Sequence, residues 1–528
     1  MKHFSLALAA FAALSLSAPV YAETPADTLV IADQIEDIVS LDPAESFEFS
    51  GQDALLNVYD RLIRILPANN FALEPGLAES WSVSEDGKTY TFKMKDGLKF
   101  HSGNPITADD AAWSLQRVVK LNKTPSFILT QFGLTPENVD QMIKATSPTE
   151  LTITTDKAYA QSFFYNCLTA IVASVVDKKL AMEHEANGDF GYEWLKTNSA
   201  GSGPYMLRSW KAADSIVLER VDGYWGGEVA LNRVFVRHVP EAATRRLQVE
   251  QGDADIARRL PPNDAEAIAA NADLQLSDQP RGLVYYLGAN QKYEPLANPK
   301  VIEALRYLID YEGMANSFLK GQFVVHQSFL PAGFLGAIDD KPYKLDVEKA
   351  KGLLAEAGYA DGFDVEISVR NQQTAMDIAA SIQNTLGQAG VRATIKSGAG
   401  AEILDSYRAR THQMIVQNWG PDYPDPHTNA GTFAANPGNR DEDKNTGYLA
   451  WRNAYPAEQT NDLVNAAVVE NDTAKRGQMY EEIQRIDQKV SPIIIMFQEN
   501  EQVGMAKSVK GFSSGGAVSS AYYWTVTK

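Results

Sequence analysis

The sequence predicts a mixed α/β protein in which two lobes are joined by a pair of strands. Strand and helix signals alternate along most of the 528 residues, which is typical of α/β folds. Two β-rich stretches, Leu283–Leu287 and Ile493–Gln502, bracket a long block that has α/β character of its own. Few contacts need to break when two bodies rotate about paired connections, so this bracketing indicates a hinge.

The first half of the chain begins with a short apolar strand, Thr28–Ala32. The dipeptide Asp86-Gly87 between two alternating stretches predicts a β-hairpin, since this pair suits a tight turn. A helix is predicted to start at Thr107, which can cap it, and the acidic residues that follow complement the N-terminal end of the helix dipole. Further elements are expected as two strands between Gly201 and Trp225, a strand at Val234–Val239 and a helix from Ala242.

The second half opens with Asn298-Pro299, which starts a helix through Val301–Ile309. Apolar periodicity then switches between helical and strand spacing, as in a βα-type unit. The predicted order is a helix at Val347–Ala357, a strand at Val365–Val369, a helix at Thr374–Gln388, a strand at Val391–Ile395 and a short strand at Met414–Gln417 that leads into a Pro/Asp-rich loop.

Composition and charge exclude several classes of protein. Hydrophobic residues make up 45% and charged residues 22%, which is ordinary globular usage. A net charge of -19 repels phosphate backbones, so we expect no nucleic-acid partner. Cys167 is the single cysteine, which excludes an intrachain disulfide and a cysteine-cluster metal site.

The first 22 residues have the layout of a secretory signal peptide. A short basic start is followed by an apolar run and by the small-residue cleavage signal Val20-Tyr21-Ala22. The run is short for a membrane span, which needs about 20 apolar residues. We therefore expect export to the periplasm, cleavage near Ala22 and a soluble mature protein.

Several strings resemble, in order, the signature of bacterial family 5 extracellular solute-binding proteins, which are the peptide- and nickel-binding subunits of ABC importers. They cover almost the whole mature chain. Ser102, Ile302 and Tyr311 depart from residues that are common in the family. The matching strings are Gly76–Trp81, Glu85–Tyr90, Lys99–Gly103 with Ile106–Asp110, Gly201–Tyr205 with Gly223–Trp225, Val301–Asp310 and Trp419–Pro426.

This resemblance implies a class II-like periplasmic-binding-protein fold, in which two α/β lobes enclose a ligand and one lobe carries an inserted α/β domain. We expect lobe 1 at 23–60, 201–285 and 500–528, the extra domain at 61–200 and lobe 2 at 286–499. The closed complex would dock on a membrane permease that a cytoplasmic ATPase drives. A monomer without a cofactor is expected.

In peptide-binding members, the aspartate that matches Asp422 pairs with the α-ammonium of the ligand. Burying an ammonium without a partner is costly, so a peptide binder needs a carboxylate at that place. A turn-forming role for Asp422 is the alternative. Trp419 offers a broad apolar wall and one donor, or a core side chain instead. Tyr423 of the same loop completes the predicted ligand side.

Three further predictions concern the cleft. Arg370 ends a strand where strand ends face the crevice, so it is expected to hold a ligand carboxylate, or else to lie solvated on the surface. Phe47, Glu48 and Phe49 occupy a stretch that lines the ligand in the family, and they line the cleft or pack. Asp422, Asp425 and His427 could form an O/N metal set, but the two prolines between them constrain the spacing. We predict no metal site and a loop-stabilising Asp425.

The sequence carries no motif of a known catalytic site, so we predict that the protein is not an enzyme. A metalloprotease His pair, a serine nucleophile elbow and a phosphate-binding loop are all missing from it. Cys167 sits in an apolar run and is expected to be inert. Peptide binding is the leading hypothesis. The alternatives are another ligand, such as a nickel chelate, an opine or an oligosaccharide, and a secreted hydrolase.

Overall fold

A computed structural model describes residues 24–66, 72–516, 518 and 521–528. The predicted signal peptide and its cleavage site lie outside these residues. No helix in the described ranges is long and apolar enough to cross a membrane. The strands are β1 (Thr28–Asp33), β2 (Ile63–Ile65), β3 (Leu73–Pro75), β4 (Ala78–Val83), β5 (Thr89–Met94), β6 (Ile143–Ser147), β7 (Glu150–Thr154), β8 (Tyr205–Lys211), β9 (Ser215–Arg220), β10 (Arg233–His238), β11 (Ile256–Ala257), β12 (Leu274–Ala289), β13 (Phe323–Val325), β14 (Asp364–Arg370), β15 (Arg392–Gly398), β16 (Met414–Trp419) and β17 (Ile493–Ala506).

The helices alternate with these strands, as the sequence predicts. They are α1 (Phe49–Val58), α2 (Ala108–Leu121), α3 (Phe127–Thr130), α4 (Val139–Met142), α5 (Gln161–Cys167), α6 (Lys178–Glu183), α7 (Tyr192–Leu195), α8 (Ala242–Glu250), α9 (Pro262–Ala270), α10 (Glu294–Ala297), α11 (Pro299–Arg306), α12 (Tyr311–Ala315), α13 (Val347–Glu356), α14 (Gln373–Gln388), α15 (Gly400–Arg408), α16 (His427–Phe433), α17 (Leu449–Arg452), α18 (Asn461–Ala467) and α19 (Thr473–Val490).

One 11-stranded sheet runs through both lobes in the order β15-β14-β16-β12-β17-β11-β1-β10-β9-β8, with β13 paired to β17. The long strands β12 and β17 pair with each other along their length. One part of this pair borders β16, and another part borders β11. The two predicted connecting strands are therefore real, and both are longer than the apolar signal that revealed them.

The pairing of β12 with β17 is irregular where the two lobes meet. The register shifts between Pro280 and Val284, which marks a bulge. Arg258 binds both carboxylate oxygens of Glu501 at 3.0 and 2.9 Å and contacts Asp53 at 2.6 Å. Burial alone would raise the pKa of Glu501, but the nearby guanidinium groups lower it to about 2. A buried group of ion pairs therefore lies beside the irregular part of this strand pair, where Glu501 pairs with Gln279.

The four-stranded antiparallel sheet β4-β5-β7-β6 stands apart from the main sheet and lies within the predicted extra domain. Helix α2 packs on it and begins with a capping box, in which Thr107 and Asp110 each accept the other's backbone N–H. The predicted domain boundaries stay a prediction. The core of this unit also contains Tyr423 and Val468, two residues from the range assigned to lobe 2.

Candidate functional site

The candidate site is built around the loop that follows β16. Strands β14 and β16 are parallel, so their carboxyl ends lie at the same edge of the sheet. Trp419 ends β16 opposite Val284 of β12, and Asp422 follows three residues later. This edge is where ligands bind in open α/β sheets. The family-like loop is therefore held by a strand buried between two others.

Asp422 is a carboxylate that lacks a compensating cation among the described residues. Its backbone N–H donates to Thr428 Oγ1 at 3.0 Å, and the same hydroxyl lies 3.5 Å from Asp422 Oδ2. Burial raises the pKa of Asp422 from 3.8 to about 7, and the Thr428 hydrogen bond opposes this shift only in part. A cation that reached this carboxylate would therefore be bound favourably.

A small enclosed cavity of about 20 Å³ lies beside Asp422. Space of this size holds one water-sized polar group. The cavity is bounded by helix α1, by the turn before the helical segment at 171–173, by the loop after β16 and by the C-terminal segment. Its lining residues are Gln52, Leu56, Ile65, Thr169, Ala170, Ile171, Asp422, Tyr423, Pro424, Val518 and Tyr522. Asp422 therefore faces a space lined by residues from the ranges predicted for both lobes and for the extra domain.

Asp425 has a structural role in the same loop. Arg476 donates to both of its carboxylate oxygens at 2.7 Å, and both side chains are buried. Arg476 also donates to the backbone of Ala467 and to Ser162 of the extra domain. In the described ranges no three His, Cys, Asp or Glu residues lie close enough to hold a metal ion. Since Arg476 takes both oxygens, Asp425 fixes the loop, as the sequence predicts.

Tyr423 and His427 connect this loop to the extra domain. The Tyr423 side chain is only 3% exposed and packs on Phe163 with ring centroids 5.8 Å apart. His427 meets the same Phe163 ring edge-on at 5.0 Å. Burial lowers the pKa of His427 to about 4, so the ring is neutral near pH 7. Tyr423 therefore anchors the loop against Phe163. A direct contact between Tyr423 and a ligand stays a prediction.

Phe47, Glu48 and Phe49 lie at the start of α1 and are each half-buried. Phe47 meets Phe127 edge-on at 6.0 Å, next to the extra domain core. Burial raises the pKa of Glu48, which accepts a hydrogen bond from the backbone of Phe47 at 3.3 Å. Phe47 thus packs against the core that lies within the predicted extra domain.

Phe49 makes a close contact with Gly420 of the loop after β16, and the sequence does not predict this contact. A Cβ atom at Gly420 would lie 2.7 Å from the Phe49 ring and 3.2 Å from Leu283, so only glycine allows this approach. The Arg281 guanidinium lies 5.0 Å from the centre of the Phe49 ring. Gly420 sits within the family-like loop, but nothing in its neighbours indicates that an aromatic ring from a distant segment covers it.

Arg370 lies at the carboxyl end of β14, as the sequence predicts, and is half-buried. Its Nε is buried and has no hydrogen-bond partner among the described residues. The Nε1 of Trp419 is also buried without a hydrogen-bond partner among the described residues, and the Trp419 ring packs against Phe433 with ring centroids 6.4 Å apart.

Cys167 is fully buried, and burial raises the pKa of its thiol, which disfavours the nucleophilic thiolate.

Two α/β lobes that share one sheet and are connected by two long paired strands define the class of two-lobe solute-binding proteins. The profile of bacterial extracellular solute-binding proteins, family 5 (Middle), matches residues 72–441. The chain belongs to this family, which confirms the resemblance seen in the sequence.

Similar proteins and solved structures agree with this assignment. The chain is 28% identical over 504 residues to the probable D,D-dipeptide-binding periplasmic protein DdpA of Escherichia coli K12, covering 94% of each chain. It is 27% identical to the dipeptide-binding protein of the same organism, covering 86% of each. The fold matches the periplasmic binding protein DppA of Helicobacter pylori in complex with the peptide STSA, with a TM-score of 0.80, 24% identity and coverage of 95% and 98%. The predicted two-lobe fold is thereby confirmed.

Proposed function

We propose that the protein is the periplasmic substrate-binding subunit of an ABC importer and that it captures short peptides between its lobes. The observation that carries the proposal is Asp422, a half-buried carboxylate in the loop after β16 with no cation beside it among the described residues. A peptide α-ammonium would supply the missing charge, since a buried charge needs a partner. The similar proteins named as dipeptide-binding support the same ligand class.

The remaining predicted residues take complementary roles in this proposal. Arg370 receives the ligand carboxylate, because a guanidinium matches a carboxylate with parallel N–H groups. Trp419, Phe47 and Phe49 form apolar walls, which suit varied peptide side chains. Tyr423 closes the cavity beside Asp422. The protein releases the ligand unchanged to the permease, which a cytoplasmic ATPase drives. In this proposal it is a monomer and is not an enzyme.

The decisive measurement is calorimetric titration of a free dipeptide and of its N-acetylated form. The protein is first unfolded and refolded to remove ligand that co-purifies with it. Removing one partner of a buried charge pair costs about 2–5 kcal/mol, so we expect acetylation to weaken binding at least thirtyfold. Asp422→Asn should lose the difference between the two peptides. Asp487→Asn is the matched control, because burial also raises the pKa of Asp487 to about 7, but Asp487 lies near the C-terminal end of α19, where Ser491 hydrogen-bonds to its carboxyl group.

Binding should also release protons below pH 7. The free protein holds Asp422 largely protonated there, whereas an ammonium-bound Asp422 is ionised. Titrations at pH 6 in two buffers of different ionisation enthalpy should therefore report close to one proton released per peptide. Equal affinity for free and acetylated peptides, together with no proton release, would remove Asp422 from the site and overturn the proposal.

A non-peptide ligand, such as a nickel chelate or an opine, is the alternative to a peptide in the same transport role. One neighbour in fold, NikZ of Campylobacter jejuni, was solved in complex with Ni(L-His), with a TM-score of 0.77, 20% identity and coverage of 96% and 100%. Nickel–histidine and opines belong in the same titration series. If these compounds bind and peptides do not, the peptide in the proposal is replaced by such a compound and the transport role stays in place.

N-terminal sequencing of the protein purified from the periplasm tests the predicted cleavage near Ala22.

A further inference from the structure

Three buried N–H donors in lobe 2 have no acceptor among the described residues. They are the amide Nε2 of Gln417, the indole Nε1 of Trp419 and the guanidinium Nε of Arg370. Gln417 is only 4% exposed. Buried donors are nearly always hydrogen-bonded, and leaving one unpaired costs free energy. Three of them in one region therefore need an explanation.

The strand register brings the three donors to one face at one edge of the sheet. Gln417 and Trp419 are two residues apart on β16, so their side chains point to the same face. Val369 on β14 pairs with Val416 on β16, which places Arg370 next to Gln417 one step further along the strands. Arg370 also lies at the carboxyl end of β14, the edge that carries the candidate site.

Packing on this face agrees with the register. Ser368, two residues before Arg370, pairs with Ile415, two residues before Gln417. Ile415 belongs to a core cluster against which Trp419 also packs. A Cβ atom at Gly400, where α15 begins, would lie 3.8 Å from the Arg370 side chain, so the start of this helix lies against Arg370. The three donor atoms are thus buried and grouped at the carboxyl ends of β14 and β16, while the Arg370 and Trp419 side chains as a whole are half-buried.

Gln498 shows that the sheet can satisfy a buried amide when no ligand is involved. It is also 4% exposed and lies on β17, where it pairs with Val284. Its Nε2 donates to the Arg281 carbonyl at 2.9 Å, and its Oε1 accepts from Ala332 N at 2.9 Å. Buried amides in this sheet can thus find partners. The Gln417 amide lacks one because of its particular position.

We propose that Gln417, Trp419 and Arg370 form a three-donor site that binds a ligand carboxylate, and that Gln417 is a specificity-determining residue. This inference rests on the proposed function and deepens it. A carboxylate offers two oxygens with about four lone-pair positions, which can accept all three N–H groups, and one donor carries the compensating charge. A neutral amide in its place offers one acceptor oxygen and brings N–H groups against the donors.

The test compares a dipeptide with its C-terminal amide on the refolded mature protein. The wild type should bind the carboxylate form more tightly. Gln417→Leu should reduce that preference at least about tenfold, since a hydrogen bond to a charged group has roughly this effect. Trp419→Phe keeps an aromatic wall but removes the donor, so it should act in the same direction. Neither variant should lower the unfolding midpoint of the ligand-free protein by much, because neither breaks a hydrogen bond seen among the described residues.

Gln498→Leu is the matched control. It removes two hydrogen bonds and should lower the unfolding midpoint, yet leave the ratio of the two affinities unchanged. An unchanged ratio in Gln417→Leu would overturn the three-donor site, and so would equal wild-type affinity for both peptides. Wild-type protein that binds neither peptide would instead overturn the proposed function on which this inference rests.

Discussion

Replacing Asp422 by asparagine should make the ligand-free protein more stable and the binding protein less effective. The asparagine keeps the size and a hydrogen-bonding group but carries no charge. In the wild type, burial raises the pKa of this carboxyl from 3.8 to about 7. Ionising this carboxyl in the folded state therefore costs free energy, and the asparagine variant avoids that cost because it has no group to ionise.

The magnitude and sign follow from this shift. A folded-state pKa above the unfolded value means that the folded state binds more protons between the two values, so wild-type stability falls as pH rises through that window. The loss is about 1.36 kcal/mol per pH unit and reaches about 4 kcal/mol above pH 7. Asp422 keeps partial contact with solvent, so this figure is an upper limit.

Urea unfolding of both refolded proteins between pH 4 and pH 8.5 measures this effect. The stability difference between variant and wild type should grow with pH to about pH 7 and then level off. Using the difference matters because other groups titrate in the same range. Adding a dipeptide at 100 times its dissociation constant should add about 2.7 kcal/mol to the wild type alone. Parallel stability profiles for the two proteins would refute the uncompensated carboxylate.

Three further predictions use other contacts. Gly420→Ala places a Cβ 2.7 Å from the Phe49 ring, so it should weaken peptide binding in calorimetry, whereas Gly447→Ala, with nothing within 4 Å, should not. Arg476→Met leaves a buried carboxylate unpaired and should lower the unfolding free energy by about 3–5 kcal/mol in urea; a loss below 1 kcal/mol would contradict the anchoring role. His427, whose pKa is lowered to about 4, should stay neutral in NMR titrations down to pH 5, and its burial should cost stability as pH falls from 6.5 towards 4. Titration of His427 near pH 6.5 would show that its ring is solvated.

Local signals in the sequence determined much of the fold. The capping box at Thr107 and the parallel unit of β14, α14 and β15 follow from residue types at short spacing, because caps and periodicity act over a few positions. The two connecting strands were visible as apolar runs. The loop from Trp419 onwards was found through its resemblance to a family, and the structure places it at the carboxyl edge of β16.

Tertiary structure alone decided which of the loop's charges are paired. Asp422 and Asp425 are three residues apart and look alike in sequence, but Arg476 neutralises only Asp425. In the same way, only the assembled sheet shows that Gln498 is satisfied whereas Gln417 is not. The physical reason is that desolvation and pairing depend on groups that approach from distant parts of the chain, and a local pattern of residues carries no record of them.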